Sequence, residues 1–353
     1  MLDPLVIAFG LGVGILIGLT GIGGGSLMTP LLVLFAGVPP VMAIGTDLAY
    51  GAITKTLGGW RHLRSGTVDL GISRWLAVGS VPGALIGVVL INAVHDRWGE
   101  EVDTWLLVGI AAALVVVGLA TLYRALFMRA AVARERHTVD LTPRGRAQAV
   151  ATGLSLGLLV GATSVGSGAL IGLVLIFLFR LTPHRVVGTD VFHGAILLWV
   201  AGLAHWASGN VDLGLMANIL IGSIPGVLIG THFILRVPAN ALRPLLACVL
   251  LGSALGVLKK AGADVPPAAI IGVPVLVGLL AWWLHRKTTA HADPVLATAP
   301  PTARPVSTLR DPDDDGPGVG PSPDPGTADP ALALTGNRSS EPVSVAGASA
   351  TLR

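Results

Sequence analysis

The chain has 353 residues, 52% of them hydrophobic and 12% charged, with a mean hydropathy of +0.76. A soluble domain carries roughly 25% charged residues, so the composition excludes an ordinary soluble enzyme or binding module and points to a polytopic protein in a lipid bilayer. The formal net charge of +3 says little by itself, because in such a protein the placement of Lys and Arg matters more than their sum, and no nucleic-acid partner is expected.

The first apolar run, residues 4–20, has an acid and no Lys or Arg before it. It therefore lacks the basic start of a secretory leader and is read as retained. It ends in "GLTGIGGGSLMTP", where five glycines fall within residues 18–25. Glycine in a helix costs about 1 kcal/mol relative to alanine, so the helix is expected to break here and resume over residues 26–37. Segments 41–60, 71–94 and 104–127 follow. A basic stretch, "RAAVARERHTVDLTPRGRAQ", then leads into 147–163, a second break at "SVGSGA", and 168–179. Segments 184–203, 214–235 and 240–258 complete the second series, and 268–285 is an extra one. From residue 287 the chain is rich in Pro, Asp, Gly and Ala, a composition that cannot bury enough surface to fold. The single cysteine, Cys248, allows no internal disulfide, and neither a metal signature nor a cofactor motif is present.

The two series are copies. Residues 18–87 align without a gap on 161–230, with 28 of 70 positions identical: "GTDLAYGAI" matches "GTDVFHGAI", and "GSVPGALIG" matches "GSIPGVLIG". The expected organisation is a first transmembrane repeat over 1–127, a basic cytoplasmic linker over 128–146, a second repeat over 147–258, an extra helix over 268–286 and a disordered cytoplasmic tail over 287–353. Placing the basic linker inside puts Arg61, Arg64, Arg180, Arg185, Arg236, Arg243 and Arg286 inside as well, and only Lys259 and Lys260 fall on the wrong side. That outcome requires each broken piece to count as zero or two crossings, as a re-entrant hairpin or a close helix pair. Each repeat then crosses an odd number of times. The expected fold is all-α, with two repeats inverted in the membrane.

Broken backbone at membrane depth survives only inside protein or beside a polar cavity. In inverted-repeat transporters broken helices meet near the midplane, with N-terminal ends facing the anionic part of the substrate. The candidate substrate-binding residues are therefore Thr20, Gly21, Gly23, Gly24, Gly25 and Ser26 at the first break. At the second they are Thr163, Ser164, Gly166, Ser167 and Gly168, and Thr46 and Thr189 join them from the next segments. A phosphate-binding loop is excluded because no Gly-Lys-Ser/Thr follows. Gly79, Gly83 and Gly87, with Gly222, Gly226 and Gly230, recur every four residues and read as helix-packing stripes.

Asp47 and Asp190 lie about two turns into helices that begin at Pro40 and Pro183. With Tyr50 and His193 on the same faces, and with Lys55, they are candidate coupling or pathway residues, since ionisable groups inside membrane segments line pathways or pair with each other. Lys55 has no counterpart, because Leu198 stands at its position; it attracts anions, pairs with Asp47, or snorkels to the interface. Asp69 and Asp212 are read as N-caps. No catalytic motif is present, and acids recurring at repeat-equivalent positions argue against an intramembrane enzyme. A channel for ions or small solutes is the other reading.

The stretch "GLTGIGGGSLMTPLLVLFAGVPPVMAIGTDLAYGAITKTLGGWRHLRSGTVDL", with its echo after residue 161, resembles the sulfite exporter TauE/SafE family of membrane transporters over roughly residues 5–285. The resemblance implies secondary transport, with export as the expected direction, of a small anion such as sulfite, thiosulfate or an organosulfonate. It implies a multi-pass protein of the cytoplasmic membrane and is compatible with a homo-oligomer. Both repeats carry Asp after Gly-Thr, where a small neutral residue is expected in many members. An acid beside an anion site suggests proton coupling, or a substrate that is not a simple oxyanion.

Overall fold

The computed structural model describes residues 2–20, 25–99, 101–127, 141–233 and 239–290. Its described residues form α1 (Pro4–Thr20), α2 (Gly25–Phe35), α3 (Pro40–Arg64), α4 (Leu70–Trp98), α5 (Glu101–Phe127), α6 (Pro143–Thr163), α7 (Ala169–Phe177), α8 (Pro183–Ala207), α9 (Leu213–Phe233), α10 (Ala239–Lys260) and α11 (Pro267–Ala290). Each apolar segment of the sequence is one of these helices, and the second glycine break is an interruption between α6 and α7, whereas residues 21–24 of the first lie outside the described residues. Several ends differ from expectation: α3, α4 and α8 run on to Arg64, Trp98 and Ala207. Helix α6 starts at Pro143, inside the expected linker, because Thr142 accepts a hydrogen bond from the Gly145 N–H and Pro143 fills the first turn. Helix α11 runs on to Ala290; the rest of the linker and of the expected disordered tail lie outside the described residues.

Among the described residues four helices are long and apolar enough to cross a membrane: α4, α8, α9 and the 102–125 part of α5. At 1.5 Å per residue, α2 and α7, with 11 and 9 residues, are roughly 16 and 14 Å long, about half of a ~30 Å hydrocarbon core. Large apolar side chains face outward on α4 (Val78, Leu85, Ile86), on the matching positions of α9 (Ile221, Leu228, Ile229) and along α11 (Ile271, Leu276, Leu279). In water such a surface would be an association site; in a bilayer it is the lipid face. Exposed Trp60, Trp98, Trp105 and Trp206 stand near helix ends, as an interfacial aromatic belt requires.

The packing is reciprocal. Helix α1 lies on α9 and α6 lies on α4, so the first helix of each repeat packs on the fourth helix of the other. The glycine stripes make these contacts. A Cβ at Gly79, Gly83 or Gly87 would strike the backbone of Val150, Leu154 or Leu158, and one at Gly222, Gly226 or Gly230 would strike Ile7, Leu11 or Ile15; each pair is displaced by 143 residues from its counterpart. At the centre, the equivalent helices α3 and α8 pack on each other and run in opposite directions. Gly45 faces His205 and Asn210, Gly51 faces Leu198, and Gly59 faces Phe192.

Reciprocal hydrogen bonds tie the ends of this central pair. The Asp212 N–H donates to Thr46 Oγ1 at 3.0 Å and the Asp69 N–H donates to Thr189 Oγ1 at 2.8 Å. Asp69 and Asp212 also accept from the N–H groups of Ile72 and Leu215, and so cap α4 and α9. One end adds an ion pair, Arg185 to Asp69 at 3.4 Å. The other adds amides: Asn210 Nδ2 donates to Asn92 Oδ1 at 2.6 Å, and Asn92 Nδ2 donates to Ser208 Oγ at 2.8 Å. His62 and His205 are in the last turns of α3 and α8. Lys260, the lysine that disagrees with the charge pattern, donates to the Val33 carbonyl in the last turn of α2, where a cation offsets the helix dipole.

Candidate functional site

The start of α2 and the second break meet beside the α3–α8 pair. Helix α6 ends on Ser164, whose φ of 59° puts a non-glycine residue in the left-handed region. Two residues on, Gly166 has φ 101°, a conformation that favours glycine. The chain then turns through Ser167 and Gly168 into α7. This bend faces the first turn of α2, and the Gly166 N–H donates to Ser26 Oγ at 3.3 Å. Ser164 Oγ of the second break and Thr29 Oγ1 of α2 donate to the same oxygen of Asp47, Oδ2, at 2.9 and 2.6 Å. Asp47 is 1% exposed, and its Oδ1 has no hydrogen-bond partner. One buried carboxylate thus pins both broken pairs to α3.

Lys55, two turns further along α3, is 6% exposed and donates to the Ser167 carbonyl at 2.5 Å. It does not snorkel. Its ammonium interacts electrostatically with both Asp190 and Asp47 yet lies beyond ion-pair distance of either. Asp190, on α8, is the repeat counterpart of Asp47 but has different neighbours. Gly172 stands where Thr29 would align, and the Arg124 guanidinium lies beside it, 2.9 Å from where a Cβ would be. Arg124 and Lys55 both act electrostatically on Asp190, whose Oδ1 has no hydrogen-bond partner.

The two acids are flanked by a second reciprocal pair. His193 Nε2 is hydrogen-bonded to Ser80 Oγ at 3.1 Å, and the counterpart of His193, Tyr50, turns its hydroxyl toward Ser223, the counterpart of Ser80. His193 Nδ1, Tyr50 OH, Ser223 Oγ and Ser167 Oγ are buried with no hydrogen-bond partner. Buried polar groups are normally satisfied, so each of these atoms is open to a bond from a ligand, ion or water.

Of the residues expected at the site, the structure brings together Ser26, Asp47, Tyr50, Lys55, Ser164, Gly166, Ser167, Gly168, Asp190 and His193. Thr46 and Thr189 spend their hydroxyls on the cross-repeat bonds. Thr163 donates to the Leu159 carbonyl and accepts from the Val165 N–H, within its own helix end. Gly25 opens α2; Gly21, Gly23, Gly24 and the side chain of Thr20 lie outside the described residues. The sequence reading missed Thr29, Arg124, Ser80 and Ser223. Thr29 aligns with glycine in the second repeat, so the comparison of repeats gave no reason to single it out. Ser80 and Ser223 were the findable ones, being identical in both repeats and one residue beyond Gly79 and Gly222 of the packing stripes. Among the described residues no group of His, Cys, Asp and Glu is placed to hold a metal ion.

The family model of the sulfite exporter TauE/SafE matches residues 6–257, which contain both breaks and every helix from α2 to α9. The chain belongs to the TauE/SafE family. Its relatives include the probable membrane transporter protein YjnA of Bacillus subtilis, 37% identical over 253 residues that make up 71% of this chain and 97% of that protein. The probable membrane transporter protein YdhB of the same organism is 27% identical over 65% of this chain and 89% of its own length, and ORF9 of Sinorhizobium is 25% identical over 67% and 85%. No solved structure matches the chain. As a TauE/SafE protein the chain is a multi-pass membrane transporter acting on a small solute. The stretch that the family model matches ends at residue 257, before α11.

Proposed function

We propose that this TauE/SafE protein is a proton-coupled secondary transporter that exports a small sulfur-containing anion, such as sulfite, thiosulfate or an organosulfonate, across the cell membrane. The observation that carries the reading is the meeting of α2 and the second break on Asp47, with buried polar atoms such as Asp47 Oδ1 and Ser167 Oγ left unsatisfied. The anion is held where the breaks converge, by Ser26, Ser164, Gly166, Ser167 and Gly168 with Thr20, Gly21, Gly23, Gly24 and Gly25. There the backbone supplies N–H donors and glycine allows close approach. Thr46, Thr163 and Thr189 hold the frame around it. Asp47 and Asp190, with Tyr50, Lys55 and His193, form the coupling pathway. An ionised carboxylate 4 Å from a bound anion costs about 4 kcal/mol at an effective dielectric near 20, so loading the anion draws in a proton.

In this reading residues 1–127 and 147–258 are two transmembrane units inverted relative to each other. Residues 128–146 and 287–353 are cytoplasmic, 95–103 are outside, and 268–286 form an extra helix. The antiparallel run of α3 past α8 and the exchange of α1 and α6 between units support inversion, since equivalent helices of two units in the same orientation would run parallel. Exchange of labelled sulfite and thiosulfate by proteoliposomes tests the function. Saturable exchange, lost in Gly25→Val and Gly168→Val proteins that still insert, is the expected result. Failure of the wild type to exchange any sulfur anion, or full activity in both variants, overturns it.

A further inference from the structure

The acids recur in both repeats, but the cation does not: Leu198 stands at the position equivalent to Lys55. The ammonium is buried at 6% exposure and, among the described residues, one of its three N–H groups has an acceptor, the Ser167 carbonyl. The same residue's hydroxyl is 1% exposed and has no partner. Gly194 leaves the ammonium its room, since a Cβ there would lie 2.6 Å from Nζ and 3.2 Å from the Ser167 carbonyl oxygen. Asp190, which lies within electrostatic reach of the ammonium, also has an unpartnered oxygen. Asp47 is engaged differently, with two hydroxyl donors on one oxygen.

We propose that Lys55 Nζ and Ser167 Oγ are direct ligands of the transported anion, so that the substrate is bound one-sidedly against the second break and its negative charge replaces Asp190 as the counter-charge of Lys55. This rests on the anion-transport reading above and names the ligands of that site. An ammonium out of water is held in its charged form by an anionic partner, without which burial favours the neutral amine. A monoanion entering beside Lys55 supplies one and leaves Asp190 to the Arg124 guanidinium or to a proton. The substrate class follows: a small monoanion whose charge sits on an oxygen atom that can accept from both an ammonium and a hydroxyl, such as bisulfite or an alkanesulfonate.

The test is ligand-induced thermal stabilisation of the purified full-length protein, with bisulfite, thiosulfate, methanesulfonate, phosphate and chloride as probes and dimethyl sulfone as the uncharged isostere of methanesulfonate. The wild type is expected to be stabilised by the monoanionic sulfur probes and not by the sulfone. Lys55→Gln is expected to weaken methanesulfonate binding at least tenfold and to abolish its advantage over the sulfone, a discrimination that a merely structural lysine would not control. Ser167→Ala and Gly194→Ala, which keep every charge, are expected to weaken it several-fold, and they carry the test if Lys55→Gln fails to fold. Stabilisation of the wild type by no probe overturns both this assignment and the anion-transport reading. Equal anion affinity and selectivity in the wild type and in the folded variants overturns this assignment alone.

Discussion

Removing the hydroxyls that hold Asp47 is expected to unfasten the two breaks from α3. Thr29→Val keeps the shape of the side chain and deletes the donor 2.6 Å from Asp47 Oδ2, and Ser164→Ala deletes the donor at 2.9 Å. All three residues are at most 1% exposed, so water does not replace what is lost. A hydrogen bond to a charged group contributes about 1.5–3 kcal/mol, and each single variant is expected to lose about that much stability. Either donor alone still satisfies Oδ2, whereas the double variant leaves it bare. The double loss should therefore exceed the sum of the single losses, with an interaction energy of about 1 kcal/mol or more. Reversible unfolding in mixed micelles measures all four corners of the cycle. Single losses below about 0.5 kcal/mol that simply add would refute the claim that one carboxylate joins the two breaks.

Three further outcomes are expected. Gly83→Ala and Gly226→Ala place a Cβ against the backbone of Leu154 and of Leu11; because backbone cannot yield as a side chain tip does, each should cost about 1–3 kcal/mol, and the two losses should be similar if the contacts are equivalent. Asp47→Asn and Asp190→Asn should retain anion exchange in proteoliposomes but lose accumulation driven by a pH gradient; if both still concentrate the anion, the acids are structural. Single cysteines introduced into a Cys248→Ser background should be labelled from outside intact cells within residues 95–103 and not within 128–146, and the reverse pattern would rule out the proposed orientation.

Much of the fold was legible because it is written in simple periodicities. Apolar runs marked each helix, the clustered glycines marked the bend between α6 and α7, and the four-residue recurrence of Gly79, Gly83 and Gly87 marked a close packing face. What the stripes do not reveal is the partner. A glycine row says that another backbone approaches closely, not which one, so the exchange of α1 and α6 between repeats emerges only in three dimensions. The Asp47 site was half legible. Asp47, Ser164 and Ser26 stood out by residue type and place, but Thr29 lies one turn inside a short helix and its importance depends on the bend that brings α2 to α3. Lys55 shows the same limit: a lysine in an apolar segment reads equally as a snorkelling side chain or a ligand until the Ser167 carbonyl is found beside it. Helix ends moved where capping outweighed hydropathy, as Thr142 and Pro143 do at the start of α6.

The claim that both breaks build a single substrate site is tested most directly by joining them. Thr29 and Ser164 donate to the same oxygen, so cysteines at these two positions in a Cys248→Ser background should be bridged by a short bifunctional thiol reagent. The account predicts that bridging abolishes exchange of labelled sulfite in proteoliposomes and that sulfite present beforehand slows the bridging. Undiminished exchange by fully bridged protein would contradict it.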